Sequence, residues 1–153
     1  FNMLQNDLEG CRFLDLFGGS GGIGIEALSR GAKRAVFVEK DRGALRCIRD
    51  NLQFTRLKEQ AEVLEMDVFQ ALQRLEGQPA FDCIFMDPPY NQGLERRVLE
   101  VLAGSGLADA HTLIIAEADE KTDFTYLDAL KMECVRRKEY KTNVHMFIRK
   151  IQE

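Results

Sequence analysis

Apolar and polar residues along this chain fall into blocks that switch between two spacings. Phe13, Leu14, Leu16 and Phe17 make a short apolar run that predicts a buried strand over residues 12–17. A helix follows over 22–29, with Gly31 placed to cap it. Ala35, Val36, Phe37 and Val38 give a near-continuous apolar strand over 34–39, the pattern of a parallel sheet buried on both faces. Leu45, Ile48 and Leu52 form one stripe of a helix over 42–54, and Asp41 is its natural N-cap. A strand over 61–66 precedes a helix over 68–76 that carries Val68, Leu72 and Leu75 on one face and stops at Gly77 and Pro79. A strand over 81–86, a helix over 92–103 bearing Leu94, Val98, Val101 and Leu102, and a strand over 112–116 continue the rhythm. Then the pattern changes. A short helix fits 124–130, and two β-rich runs, 131–140 and 144–149, flank a turn as an antiparallel hairpin. The first ten residues read as a helix end running into a turn over 7–10.

Five βα steps and a hairpin predict an α/β fold: a doubly wound, mostly parallel, Rossmann-like sheet of seven strands with one late antiparallel strand. No repeat, low-complexity tract or linker interrupts it, so one domain over residues 1–153 accounts for the whole chain.

The first strand runs into a glycine cluster in which Gly19, Gly21 and Gly24 fit G-x-G-x-x-G. Glycines let the backbone turn sharply and approach a ligand that a Cβ would block. The helix that follows turns its free N–H groups toward the turn, and Glu39 ends the next strand. Strand, glycine turn, helix, strand and acid make a nucleotide-cofactor plan. Asp15 sharpens it. A pyrophosphate disfavours an acid beside the turn, whereas a ligand with a cationic amino group suits one. S-adenosylmethionine has that group and a sulfonium, and lacks phosphate. Glu39 would then accept from the ribose hydroxyls. Asp67 would hold the adenine amine, with the Val68 N–H on a ring nitrogen. The plainer alternatives are Asp15 bonding turn amides and Asp67 as a helix N-cap.

The second chemical signal is Asp87-Pro88-Pro89-Tyr90, at the end of the strand over 81–86 and, in a doubly wound sheet, beside the first strand at the switch point. Two prolines stiffen the backbone and remove two donors. What remains is the Asp87 carboxylate, the Pro88 carbonyl and an aromatic ring. An exocyclic amine on a nucleobase offers two N–H donors and a flat face to match, with Tyr90 stacking on the ring. A proline turn with a packing tyrosine is the structural alternative.

Composition narrows the class. The 45% hydrophobic and 30% charged content is that of an ordinary globular chain. No apolar run approaches the roughly 20 residues of a membrane span, and no signal peptide is visible. The four cysteines lack C-x-x-C spacing and only two histidines are present, so no metal site is expected. Cys47 and Cys83 read as small core residues in a reducing compartment, which points to the cytoplasm. A net charge of −4 argues against coating nucleic acid by bulk charge. A local basic face over Arg136, Arg137, Lys138, Lys141, Arg149 and Lys150 stays open as either a solvated strand or an RNA-facing patch.

DLFGGSGGIG and DPPY together resemble the amino-methylating branch of class I S-adenosylmethionine-dependent methyltransferases. FLDLFGGSGGIGIEALSRGA, VFVEKD and IFMDPPY resemble more closely the RsmD-like 16S ribosomal RNA guanine-N2 methyltransferase family, over essentially the whole chain. The resemblance implies that Asp15, Gly19, Ser20 and Gly21 line the methionine end of the cofactor. Glu39 takes the ribose, and Asp67 and Val68 the adenine. Asp87, Pro88 and Tyr90 hold the target amine. It also implies 16S rRNA as partner, within the small ribosomal subunit or an assembly intermediate, and a monomeric enzyme without a metal. The family's basic arm, rich in Arg, Lys and Gly, is absent ahead of Phe1, so this chain is expected to bind cofactor but RNA poorly. An adenine-N6 methyltransferase on DNA or RNA shares DPPY, but DNA enzymes of that type generally carry a target-recognition domain. A glutamine methylase generally starts its motif with Asn. A nicotinamide-dependent oxidoreductase leaves Asp15 and DPPY unexplained, and an inactive cofactor-binding scaffold is the reading outside enzymes.

Overall fold

The computed structural model describes residues 8–152; the expected helix end before Leu8 lies outside them. The chain divides into two compact units, one running to Ala71 and the other beginning at Leu72.

The first unit holds β1 (Arg12–Leu16), α1 (Gly22–Ser29), β2 (Arg34–Glu39), α2 (Arg42–Thr55), β3 (Ala61–Glu65) and the start of α3 (Val68–Leu75). Its strands lie in the order β3-β2-β1, all parallel, with Leu14 opposite Val36 and Val38 opposite Leu64. Phe13, Leu14, Ala35, Val36, Phe37 and Val38 are buried because helices cover both faces of a parallel sheet. Gly31, at φ +104°, ends α1 as the glycine spacing predicts. The Gly31 N–H donates to the Leu28 carbonyl and the Ala32 N–H to that of Ala27, the paired bonds of a Schellman cap. Asp41 caps α2 by accepting from the Ala44 N–H at 2.9 Å.

The second unit holds β4 (Cys83–Met86), α4 (Leu94–Ala103), β5 (Leu113–Asp119), a 3-10 helix (Thr125–Leu130), β6 (Met132–Glu139) and β7 (Asn143–Lys150). Its strand order is β4-β5-β7-β6. β4 and β5 are parallel, whereas β7 runs antiparallel to both β5 and β6. Three parallel strands in the first unit and four in the second, with β7 the one reversed strand, match the mostly parallel α/β plan expected from the sequence.

Four details differ from the sequence expectation. Phe17 leaves the strand at φ +61° and opens the glycine turn instead of ending β1. Cys47 is exposed: it lies off the Leu45–Ile48–Leu52 stripe, which alone faces the core. Val101 is likewise exposed, because α4 buries Val98, Leu99 and Leu102. β5 continues through Glu117 to Asp119, since β7 supplies partners that its polar end does not advertise.

Gly24 fixes how closely α1 can approach β2. A Cβ built there would collide with the Phe37 ring. Gly24→Ala should therefore lower stability by about 1–3 kcal/mol from overpacking, more than the ~1 kcal/mol that alanine gains in a helix. Denaturant titration of Gly24→Ala, Phe37→Leu and the double variant checks this. The double variant should be less destabilised than the sum of the two, and simple additivity would place the strain elsewhere.

Candidate functional site

The first unit builds its half of the site around one turn. After Phe17 the backbone is held by Gly18 N–H on the Val38 carbonyl at 3.0 Å and Gly21 N–H on the Gly18 carbonyl at 2.8 Å. Gly19 and Gly21 sit at φ +58° and +81°, where a side chain would be strained. Gly18 and Gly21 also back onto Ile48 of α2, at 3.2 and 3.1 Å from the position of a Cβ. Gly19 and Ser20 are exposed at the tip, with open space where a Gly19 Cβ would stand.

Carboxylates organise this turn. Glu39 Oε1 accepts from the Gly19 N–H at 2.9 Å, and Oε2 accepts from the N–H groups of Lys40 and Asp41 at 3.0 Å each. Asp15, which is buried, accepts from the Gly24 N–H at 3.2 Å in the first turn of α1. The Asp15 carboxyl group therefore already takes an N–H at the helix N-terminus that a phosphate would seek. Asp67 accepts from the Phe69 N–H at 3.1 Å, so it caps α3; Val68 begins that helix with its side chain buried. Asn51 is a contributor the sequence did not disclose: its Nδ2 donates to the Ser20 carbonyl at 3.1 Å and ties α2 to the turn.

The second unit carries Asp87-Pro88-Pro89-Tyr90 directly after β4. Pro88 is buried, whereas Asp87, Pro89 and Tyr90 are exposed. Asn91 and Gly93, at φ +64° and +66°, turn the chain into α4. Although Asp87 reaches solvent, the packing around it raises its carboxyl from the ordinary value to about 6. Burial is the main cause, the Glu117 carboxylate adds to it and His145 opposes it. Glu117 is itself raised by burial, against a hydrogen bond from Asn143 Nδ2 to its Oε1 at 2.5 Å. His145 Nε2 lies 3.4 Å from Glu117 Oε2. Burial lowers the His145 imidazole, Asp87 raises it and Lys138 lowers it further. Sequence reasoning missed Glu117, Asn143 and His145 because antiparallel pairing of β5 with β7 brings them together.

The basic residues near the end of the chain differ in what holds them. Lys150 Nζ donates to the Ser105 carbonyl at 3.0 Å, just beyond α4. Arg137 is held by Glu139 at 3.1 Å and by the Glu120 carbonyl at 3.3 Å. Arg136, Lys138 and Lys141 stand exposed. Among the described residues, no group of three or more His, Cys, Asp or Glu is gathered as a metal site, and no helix is long and apolar enough to cross a membrane.

A family model described as Conserved hypothetical protein 95 matches residues 1–149. YlbH of Bacillus subtilis is 36% identical over 124 residues, covering 80% of this chain and 67% of that protein. Ribosomal RNA small subunit methyltransferase D of Haemophilus influenzae is 35% identical over 121 residues, covering 78% and 63%. The chain thus spans about two thirds of the curated relatives it matches. A solved structure of a conserved hypothetical protein from Streptococcus pyogenes matches with a TM-score of 0.88 at 33% identity, covering 98% of this chain and 92% of that one.

The raised Asp87 carboxyl has a consequence for stability. The native state holds this proton to about pH 6, whereas an unfolded aspartate releases it near 4. Stability contributed by protonated Asp87 is therefore present at low pH and is lost as pH rises toward 6. Asp87→Asn should raise the thermal midpoint at pH 8 and change it little at pH 4. Melting curves at the two pH values test this; an equal change at both would deny Asp87 its raised titration.

Proposed function

The chain belongs to the Conserved hypothetical protein 95 family, and on that premise we propose that it is the core of an S-adenosylmethionine-dependent methyltransferase acting on the exocyclic 2-amino group of a guanine in 16S ribosomal RNA. The observation that carries this reading is the buried Asp15 carboxylate on the Gly24 N–H. It places an acidic side chain where a dinucleotide would need to place phosphate, and suits a cofactor whose near end is an amine and a sulfonium. The name of the Haemophilus relative, a ribosomal RNA small subunit methyltransferase, supports the RNA class.

The residues of the first unit fit such a cofactor. The open tip at Gly19 and Ser20 lets a ligand reach the backbone, and Gly21 keeps the turn tight beneath it. Asp15, Gly19, Ser20 and Gly21 would hold the methionine end. Glu39 keeps lone pairs for ribose hydroxyls beyond the amides it already binds. Asp67 and the Val68 N–H would take the adenine edge. When bound, the cofactor supplies an electrophilic methyl group on a positively charged sulfur.

Asp87, Pro88 and Tyr90 hold the acceptor. A guanine amine is a weak nucleophile because its lone pair is delocalised into the ring. Hydrogen bonds from that amine to the Asp87 carboxylate and the Pro88 carbonyl favour a pyramidal nitrogen with its lone pair free, while Tyr90 stacks on the base. Methylation leaves a surplus proton on nitrogen, and Asp87 takes it as general base. Its raised titration suits that task, since a base near 6 holds a proton better than an ordinary aspartate does. The target base must leave its stack to reach these groups. Exposed Arg136, Lys138 and Lys141 would meet RNA phosphates, which position the chain without reading sequence. This reading puts the protein in the cytoplasm as a monomer, acting on the small subunit or an assembly intermediate.

Calorimetric titration with S-adenosylmethionine and with NADH tests the cofactor. Binding of the first alone is expected, and binding of NADH alone would overturn the reading of Asp15. Radiolabel transfer to unmethylated small-subunit particles, followed by nucleoside analysis, tests the acceptor. N2-methylguanosine is the expected product, and N6-methyladenosine would replace guanine by adenine in the proposal. Asp87→Ala should keep cofactor binding and lose transfer by about 100-fold or more.

A further inference from the structure

Asp87 does not stand alone. It follows Met86, whose register partner on β5 is Ala116, and Glu117 follows Ala116. Glu117 pairs across β5–β7 with His145, and His145 pairs across β7–β6 with Lys138. Asp87, Glu117, His145 and Lys138 thus form one row across four adjacent strands of the second unit: acid, acid, imidazole, ammonium. The row is built, not incidental. Asn143 Nδ2 fixes one oxygen of Glu117 at 2.5 Å, and His145 Nε2 sits 3.4 Å from the other. The imidazole is held between two aromatic rings, the edge of Phe85 on β4 at 6.3 Å and Tyr140 at 4.7 Å. Lys138 Nζ lies over that same Tyr140 ring at 5.4 Å.

Resting on the proposed amine-methylating role of Asp87, we propose that Glu117 and His145 are positioning residues that act on the Asp87 carboxylate in opposite senses and together set the pH at which it takes the proton of methylation. The signs follow from charge. An ionised Glu117 beside Asp87 makes a second negative charge costly and favours the protonated form. A protonated His145 favours the ionised form. The described groups that bear on the row are Glu117 from β5, His145 from β7 with Asn143 beside Glu117, Lys138 from β6 acting through His145, and Tyr140, whose ring packs tilted against the imidazole. Interacting sites of this kind titrate as a set, so changing one member must move the others.

The test reads Asp87 directly, by carbon-detected NMR titration of its carboxyl in the wild-type protein, Glu117→Gln and His145→Asn. Glu117→Gln keeps a hydrogen-bonding side chain of the same shape, and His145→Asn keeps a polar side chain while removing the titratable ring. The Asp87 midpoint should move down in Glu117→Gln and up in His145→Asn, each by about half a pH unit, roughly threefold in proton affinity. Lys138→Glu, on the exposed strand, changes no buried side chain, and it should raise the His145 midpoint. Midpoints that stay put, or that move the same way in both variants, would overturn the row. A merely structural role for Glu117 and His145 would change stability but not produce opposite displacements. The acid limb of transfer should follow the Asp87 midpoint in each variant. If the midpoints move as stated while transfer is absent or its limb is fixed, the row stands and the role of Asp87 as proton acceptor fails.

Discussion

The first unit depends on how one carboxylate disposes of three backbone donors. Where parallel strands end and the chain turns into the next helix, N–H groups are left without ladder partners. Glu39 answers three of them, two at the start of its own connection to α2 and one across at Gly19. That third bond draws the glycine tip onto the end of β2 and leaves it projecting into solvent. Gly18 on Val38, Gly21 on Gly18 and Asn51 on Ser20 then lock the same turn from other sides. The turn is rigid because several weak bonds converge on a few residues, each worth about 1 kcal/mol.

Much of this was legible in the sequence, and the reason is locality. Asp41 caps α2 and Gly31 ends α1 as their positions in the chain require, and every strand was placed to within a few residues. Such features depend on neighbours within a turn or two. The exceptions share a cause. Cys47 sits among Arg46, Ile48 and Arg49 in the sequence, but helical geometry sends it away from Ile48. Phe17 looks like one more strand residue, yet the turn needs it at positive φ. Glu117 makes β5 look finished because the pairing that extends it comes from Asn143 and His145, far along the chain.

The candidate site divides along the same line. G-x-G-x-x-G, Glu39 and DPPY are local words whose proposed chemistry rests on residue type and spacing. The environment of Asp87 cannot be read that way. Its partners Glu117 and His145 lie on two later strands, and their relevance appears only with the register of β4, β5 and β7. Residue type alone would make Asp87 an ordinary surface carboxylate, fully ionised well below neutrality. Burial first, and then the Glu117 carboxylate brought by the strand register, raises its carboxyl to about 6.

That shift carries a cost which local folding rules would not impose. Packing that desolvates Asp87, with the Glu117 carboxylate adding to it, disfavours the ionised native state above its midpoint. An asparagine would relieve the repulsion while keeping an acceptor oxygen, and a residue free to optimise stability would drift that way. The first unit shows the contrasting use of acids: Asp15, Glu39 and Asp67 each accept hydrogen bonds from backbone N–H groups. Acids of that kind build structure even before any ligand is considered. Asp87 lacks such an evident structural return, which agrees with the proton-accepting role proposed for it. The presence of an imidazole in the same row limits how far the repulsion can go, since His145 offsets part of what Glu117 imposes.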